Sequence, residues 1–256
     1  MLKDFAVERR DRILGLIQKR RRVTVDELME DLAVSGATIR RDLEFLERGG
    51  LITRAHGGAV SKSRVSLEPD YSKEKQKFLE EKRKIGKEAG KLVEEGEVIF
   101  LESSSTVLEM AKNITNINNL TVVTNSLDIV RELYQAAGIE LIMTGGSLKR
   151  RIHALMGPLA ELTLSQMRMD KAFMGVSALD IDHGMTTATV EEAETRKKIL
   201  EASNKIVALT DHSKLGRQHF IFVTSIENID VICTDKGISQ KTREEMEKRG
   251  VEVIVV

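Results

Sequence analysis

Residues 23–60 read VTVDELMEDLAVSGATIRRDLEFLERGGLITRAHGGAV, and this stretch decides the fold of the first part of the chain. Thr24 stands before an apolar run and Glu27 follows three residues later, which is the spacing of a helix capping box. The pattern predicts a short helix over residues 25–32 and a longer one over residues 36–48. Three apolar side chains of the longer helix share one face and are expected to form its core side: Ile39, Leu43 and Leu46.

The segments on either side of these two helices add a further helix and a hairpin. Glu8 to Arg20 carries apolar side chains at helical spacing, which predicts a helix before residue 23. Leu51–Arg54 and Gly58–Val60 are predicted to be strands joined by a tight turn near Gly57. Three helices followed by a β-hairpin are the elements of a winged helix-turn-helix.

Helix 36–48 has a surface suited to nucleic acid. Its first turn is small and polar, so its backbone N–H groups can approach a phosphate closely. Arg40 and Arg41 follow one turn later and can donate paired hydrogen bonds to a phosphate or a guanine edge. The simpler alternative is an amphipathic helix whose charged face only meets water. On the DNA-binding interpretation, the contacts come from Thr24, Ser35, Gly36, Ala37, Thr38, Arg40, Arg41, Arg54 and His56.

The same stretch resembles the DNA-binding domain of DeoR-type bacterial transcriptional regulators. The resemblance implies that residues 35–48 form the recognition helix and that residues 54–59 form the wing. It also favours DNA binding over a merely solvated charged face. The elements that carry it are spaced along the whole stretch: Val34-Ser35, Thr38-Ile39-Arg40-Arg41-Asp42-Leu43, Leu46, Gly50, Arg54 and His56-Gly57-Gly58-Ala59.

The charges of the chain are divided between two blocks. The 256 residues carry 40 Lys and Arg against 40 Asp and Glu. Residues 1–64 hold 14 of the basic and 10 of the acidic residues, a net charge of +4, and residues 65–256 carry the compensating net charge of −4. Pro69 lies in a polar segment without apolar periodicity, which is typical of a linker. We therefore predict a winged helix-turn-helix domain over residues 1–62, a linker over residues 63–74 and a second domain over residues 75–256.

The composition disfavours several classes of protein. A content of 41% hydrophobic and 31% charged residues argues against wholesale disorder. The single cysteine, Cys233, excludes an internal disulfide framework and lies in an apolar run, where we expect it in the core. No apolar run approaches the roughly 18 residues that a membrane span needs, and the charged N-terminus is unlike a signal peptide. We expect a cytoplasmic protein with no membrane partner.

Strands and helices alternate through the second domain, which favours a mainly parallel sheet with helices on both faces. In such folds ligands bind beyond the carboxyl ends of the strands. The predicted strands are 98–101, 121–125, 140–144, 171–176, 206–210, 231–234 and 252–256, and the predicted helices are 75–94, 107–112, 127–137, 158–167, 191–203 and 239–249.

Polar loops follow three of these strands. A run of four hydroxyl residues comes after Glu102, and the glycines of a second loop let the backbone approach a ligand. In the third loop Lys214 supplies a cation for phosphate and Asp211 an acceptor for sugar hydroxyls. Each loop also has a plainer interpretation, respectively a helix cap at Thr106 paired with Glu109, a tight turn and an Asx-capped surface turn. The candidate ligand residues are Glu102, Ser103, Ser104, Ser105, Thr106, Asn125, Thr144, Gly145, Gly146, Asp211, Ser213 and Lys214.

The second domain, from about Glu74 to Asp235, resembles the sugar-phosphate-sensing domain of DeoR-type regulators, which is itself similar to ribose-phosphate-isomerase-like folds. The fold class expected from both resemblances is α/β: a small N-terminal winged helix-turn-helix domain plus a larger Rossmann-like, ribose-phosphate-isomerase-like α/β domain. The resemblance implies a transcriptional regulator of sugar metabolism genes, with operator DNA and a phosphorylated sugar effector as partners. We expect it to act as a repressor and as a homo-oligomer, a dimer or a tetramer, because paired half-sites multiply a modest affinity.

Two other functions remain open on the sequence. The first is a sugar-phosphate isomerase-type enzyme, with Glu191 or Asp211 as general base and Lys214 steadying the developing charge. The second is an architectural DNA-binding protein without an effector. No Ser–His–Asp order, nucleophile elbow or Walker loop is visible, and no pair of histidines has metal-ligand spacing. We therefore predict no catalytic residue, no metal and no cofactor.

Overall fold

The computed structural model describes residues 9–10, 12–13, 15–17, 20, 22–48, 52–55, 57–61 and 75–256. The chain divides into two compact units, Met1–Ser66 and Leu67–Val256. The predicted linker, residues 63–74, lies outside the described residues, and its boundaries stay a prediction. Among the described residues, no helix combines the length and the apolar character needed to cross a membrane.

The N-terminal unit has the elements of the predicted winged helix-turn-helix. Thr24 and Glu27 form the capping box: Glu27 N donates to Thr24 Oγ1 at 3.2 Å, and Thr24 N donates to Glu27 Oε2 at 2.7 Å. One strand was not predicted, because Arg22–Thr24 is too short to show alternation. It pairs antiparallel with the second strand of the hairpin. In chain order the elements are β1 (Arg22–Thr24), α1 (Val25–Leu32), α2 (Gly36–Arg48), β2 (Ile52–Ala55) and β3 (Gly58–Ser61).

The core of this unit lies between α2, α1 and the helical residues before residue 20. The predicted core side of α2 is confirmed, since Ile39, Leu43 and Leu46 are buried among the apolar side chains of the other elements. Asp42 is also buried on α2, and its two carboxylate oxygens accept from Arg9 Nε at 2.6 Å and Arg10 Nε at 2.8 Å. This carboxylate therefore ties the helical residues Arg9 and Arg10, which precede β1, to α2.

The C-terminal unit is a seven-stranded parallel sheet with helices packed on it, as the alternation predicted. The strands of this unit are β4 (Val98–Leu101), β5 (Leu120–Thr124), β6 (Ile139–Met143), β7 (Ser147–Lys149), β8 (Ala154–Met156), β9 (Met169–Gly175), β10 (Ala178–Asp180), β11 (Gly184–Thr187), β12 (Ser203–Leu209), β13 (Ile221–Thr224), β14 (Val231–Thr234) and β15 (Glu252–Val255). Its helices are α3 (Leu79–Gly90), α4 (Ser105–Ala111), α5 (Leu127–Leu133), α6 (Pro158–Ser165), α7 (Val190–Glu201) and α8 (Gln240–Lys248). The order of the strands in the seven-stranded sheet is β15-β14-β12-β9-β4-β5-β6.

The direction of the chain across this sheet reverses between β4 and β9. From β4 the chain runs outward through β5 to the edge strand β6 and then returns to β9 on the other side of β4. Such a reversal opens a crevice at the carboxyl ends of the two neighbouring strands, which is the usual ligand site of open α/β sheets.

Five short strands lie outside this sheet, and none of them was predicted. β7 and β8 form a hairpin, while β10, β11 and β13 form a separate antiparallel sheet. Each is only three or four residues long, so its sequence carries too little alternation to stand out from a loop. The hairpin brings two further side chains, Ile152 and Met156, to the carboxyl ends of the main sheet's strands.

Candidate functional site

A cleft opens at the chain reversal between β4 and β9, and it encloses about 740 Å³ of empty space, part of it open to solvent. The loops after β4, β9 and β12 form its floor, and side chains from α3, α7 and the β7–β8 hairpin line its sides. The lining residues are Lys82, Glu102, Ser103, Ser104, Ser105, Thr106, Ile152, Met156, Gly175, Val176, Ser177, Glu192, Arg196, Thr210, Asp211 and Lys214.

The loop after β4 brings the predicted hydroxyl residues into the cleft. Ser104, rather than Thr106, caps the helix that follows, since Thr106 N donates to Ser104 Oγ at 3.2 Å and α4 begins at Ser105. The alternative in which Thr106 caps the helix with Glu109 is therefore wrong: the helix begins two residues earlier than the apolar pattern suggested, at Ser105 instead of Val107. Ser103 Oγ donates to the carbonyl of Ile152 at 2.8 Å, which joins this loop to the β7–β8 hairpin.

A buried ion pair lies at the centre of the cleft. Arg196 Nε on α7 donates to Glu102 Oε1 at 2.6 Å, and Gly175 N donates to Glu102 Oε2 at 2.9 Å. Burial raises the pKa of Glu102, while the Arg196 guanidinium and the Gly175 N–H act in the opposite direction. The pair thus connects the ends of β4 and β9 with α7 across the crevice.

Lys82 reaches the cleft from α3, and its side chain is almost completely buried. It precedes the buried residues Ile85, Gly86 and Ala89 on the same face of the helix. Gly86 lets α3 pack closely on α4, because a Cβ at this position would lie 2.6 Å from Met110 N. The close packing of α3 on α4 places the lysine beside the hydroxyl loop.

The loop after β12 supplies Asp211 and Lys214. Asp211 Oδ1 accepts from Ser213 N at 3.0 Å, so the predicted Asx cap is confirmed, but Asp211 is buried and the turn is not simply a surface turn. His212 is fixed next to it: His212 N donates to Asp235 Oδ1 and its Nδ1 contacts Asp235 Oδ2, both at 2.7 Å. These contacts hold the loop in one conformation with Lys214 at the cleft.

Some predicted ligand residues do not line the cleft. Thr144, Gly145 and Gly146 follow the edge strand β6, two strands away from β4, so the strand order keeps them from the crevice. Gly146 instead packs under the β7–β8 hairpin, where a Cβ would lie 2.6 Å from the Met156 carbonyl oxygen. Asn125 is buried below the first loop, where its Oδ1 accepts from Ser103 N at 2.9 Å.

Three charged side chains of the cleft are not among the residues predicted from the sequence, namely Lys82, Glu192 and Arg196. Lys82 has a signal in the sequence, since it lies three residues before Ile85 on the apolar side of its helix. Glu192 and Arg196 are four residues apart and share a helical face, which is the spacing of an interacting pair. In the structure each has a different partner: Glu192 accepts from the Thr187 hydroxyl, and Arg196 pairs with Glu102.

The N-terminal unit presents three of the predicted DNA-contact residues on one exposed surface of α2. Ala37, Arg40 and Arg41 are exposed on the side of the helix opposite its buried stripe. The Ser35 carbonyl accepts from Ile39 N at 3.1 Å and begins the helix, with Gly36 and Thr38 partly exposed in its first turn.

Arg54 Nη1 on β2 lies 3.4 Å from Glu44 Oε1 of α2, beside this surface. Thr24 is partly exposed at the start of α1, and His56 lies outside the described residues.

Two family models match the chain, one for each unit. A DeoR-like helix-turn-helix domain matches residues 9–65, and a DeoR C-terminal sensor domain matches residues 77–236. The chain belongs to the DeoR family of transcriptional regulators. The resemblance noted in the sequence is thereby confirmed for both parts of the chain.

Curated relatives of this DeoR-family chain match it over most of its length. The HTH-type transcriptional regulator GlpR of Haloferax volcanii is 39% identical over 96% of this chain and 96% of its own. The glycerol-3-phosphate regulon repressor of Escherichia coli K12 is 32% identical over 89% of this chain and 90% of its own. Both relatives are named as transcriptional regulators, and neither is named as an enzyme.

Among solved structures, the chain matches ribose 5-phosphate isomerase A from Methanocaldococcus jannaschii. The identity is 22%, the match covers 52% of this chain and 53% of that chain, and the TM-score is 0.38.

Proposed function

We propose that the N-terminal unit binds operator DNA by inserting α2 into the major groove. The observation that supports this is the exposed stripe of Ala37, Arg40 and Arg41, opposite the buried stripe that holds the helix in place. Arginine guanidinium groups donate paired hydrogen bonds to phosphates and guanine edges, and small residues in the first turn let the helix backbone approach the DNA. Arg54 lies beside α2 and extends the surface toward the wing.

The test measures binding of the full chain to a DNA fragment selected from its genome. The double variant Arg40→Ala/Arg41→Ala is expected to bind at least about a hundredfold more weakly and with a smaller salt dependence. A matched control is Lys241→Ala/Arg243→Ala, which removes two exposed cations from α8 of the other unit. Equal affinity of both double variants would show that α2 is not the recognition helix.

We propose further that the cleft binds a phosphorylated sugar, and that this ligand controls DNA binding. The cleft combines hydroxyl groups and cations, which suit a phosphoryl group, with buried carboxylates, which suit sugar hydroxyls. A ligand shifts the DNA-binding population only if its affinity for the two states differs. Relatives include a repressor named for the glycerol-3-phosphate regulon, so we expect release of operator DNA and derepression here.

A panel of sugars and their phosphates tests the proposal. Phosphorylated members are expected to raise the melting temperature of the full chain and to release the DNA fragment, while the unphosphorylated sugars do neither. The same experiment distinguishes an architectural DNA-binding protein, for which no phosphosugar would alter either readout. The oligomeric state, which we propose to be a dimer or tetramer, follows from sedimentation of the free chain and of its DNA complex.

A further inference from the structure

A second concavity adjoins the cleft on the far side of Lys214. It encloses about 670 Å³ of empty space, part of it open to solvent. We call it the flanking concavity; its described lining consists of Lys77, Phe78, Ser213, Lys214 and Arg217. Lys214 lines both the cleft and the flanking concavity, so the two spaces are adjacent at this side chain.

The two spaces differ in their balance of charge. The cleft is lined by three cationic side chains, Lys82, Arg196 and Lys214, and by three carboxylates, Glu102, Glu192 and Asp211. The flanking concavity is lined by Lys77, Lys214 and Arg217, and no carboxylate is among its described lining residues. The described lining of the flanking concavity is therefore cationic, and cationic side chains attract an anionic group.

The loop that carries Lys214 and Arg217 is held at both ends. At one end His212 is bound to Asp235, and its ring meets the edge of Phe78 with the ring centroids 4.9 Å apart. At the other end Gly216 adopts a positive φ of 67°, and its N–H donates to the Leu179 carbonyl at 2.8 Å. A binding loop that is already ordered loses little conformational entropy when a ligand arrives.

From this arrangement we infer that the effector carries two separate phosphoryl groups, one in the cleft and the other in the flanking concavity. The inference rests on the proposed function and deepens it by naming the class of ligand. The first phosphoryl group meets the hydroxyl loop and Lys214, and the sugar chain passes Lys214. The second phosphoryl group meets Arg217, whose planar guanidinium can donate two parallel hydrogen bonds to it, and Lys77.

The test compares monophosphates with bisphosphates on the full chain by isothermal titration. The probes are fructose 1-phosphate, fructose 6-phosphate and fructose 1,6-bisphosphate, with ribose 5-phosphate and ribulose 1,5-bisphosphate as a pentose pair. We expect a bisphosphate to bind about tenfold or more tightly than its monophosphates. Arg217→Gln is expected to remove most of this preference while leaving monophosphate affinity unchanged, and Lys77→Gln should act in the same direction.

The matched control is Arg168→Gln. Arg168 is also exposed, but it precedes β9 and therefore lies at the amino ends of the strands, whereas the cleft lies at their carboxyl ends. Equal affinity of the wild-type chain for monophosphates and bisphosphates would overturn the inference and leave the proposed function standing. Equal weakening of both ligand types in Arg217→Gln would also overturn it. Failure of every phosphosugar to bind would overturn the proposed function together with the inference.

Discussion

Arg196 Nε lies 2.6 Å from Glu102 Oε1, and both side chains are buried where β4 and β9 part. Each of these buried charges carries a desolvation penalty, and the attraction of its partner is the main contribution that offsets this penalty. Loss of one partner therefore harms the fold more than loss of both. This ion pair joins three elements of the cleft and sets the spacing of its walls.

Removing the cation alone is predicted to be strongly destabilising. Arg196→Met leaves the Glu102 carboxylate buried without its partner, and we expect a loss of about 3–5 kcal/mol in the free energy of unfolding. The double variant Glu102→Gln/Arg196→Met should recover part of that loss. Urea denaturation followed by circular dichroism measures both. A double variant no more stable than Arg196→Met would contradict the predicted coupling.

Asp42 is predicted to hold the N-terminal unit together. Asp42→Asn removes the charge that accepts from Arg9 and Arg10, and hydrogen bonds of charged groups contribute about 1.5–3 kcal/mol. The backbone amides of Ile39 and Leu43 should then exchange with solvent about tenfold to a hundredfold faster. Glu30→Gln, an exposed carboxylate on α1, is the control and should change neither rate. Unchanged exchange in Asp42→Asn would mean that the buried carboxylate is dispensable.

Asp235 gives the C-terminal unit a contribution to stability that depends on pH. Burial acts to raise the pKa of Asp235, but the N–H groups of His212 and Gly237 and the His212 ring together hold it below its usual value. A carboxyl group with a lowered pKa stabilises the fold above its unfolded pKa of about 4, and this contribution is lost as the pH falls through the lowered value. Asp235→Asn should therefore be less stable than the wild type at pH 7.

That difference in stability should shrink as the pH falls below about 4, because the carboxyl group of the unfolded chain then takes up a proton and that of the folded chain follows at its lower pKa. Unfolding midpoints in urea at pH 7, 5 and 3 measure it. A difference of the same size at all three pH values would show that the charge of Asp235 contributes nothing and that only the shape of the side chain matters.

Cys233 is predicted to be inert in the folded chain. It is fully buried in β14, as its apolar surroundings in the sequence indicated, and burial raises the pKa of its thiol to about 12. Only the thiolate reacts with Ellman's reagent, so labelling at pH 8 should require unfolding. We expect rapid reaction in 8 M urea and little reaction without it. Comparable rates in both conditions would contradict the burial of this thiol.

The sequence predicts the N-terminal unit well, because its signals are local. The capping box at Thr24 and the apolar stripe of Ile39, Leu43 and Leu46 depend on residues within one or two helical turns of each other, and the structure has both. The alternation of strands and helices likewise predicts the parallel sheet. Boundaries differ by a few residues, since helix ends depend on caps such as Ser104 that the apolar pattern does not reveal.

The sequence predicts only some of the residues that line the cleft, because the order of the strands decides which loops lie next to each other. Thr144 and Lys214 each follow a strand, but β6 lies at the edge of the sheet while β12 lies next to β9. Nothing local distinguishes these two loops. The pairing of Glu102 with Arg196, 94 residues apart, is equally invisible in the sequence, since it requires α7 to pack beside the chain reversal.

Control of DNA binding by the cleft is tested most directly by titrating the full chain, bound to its DNA fragment, with a phosphosugar that the panel identifies. We expect Lys214→Gln to raise the phosphosugar concentration needed for half-release of the DNA by about tenfold or more, because it removes a cation from the cleft. DNA affinity without the phosphosugar should stay the same, and Arg168→Gln should behave as the wild type in both measurements. Half-release of Lys214→Gln at the wild-type concentration would contradict the claim that this cleft controls DNA binding.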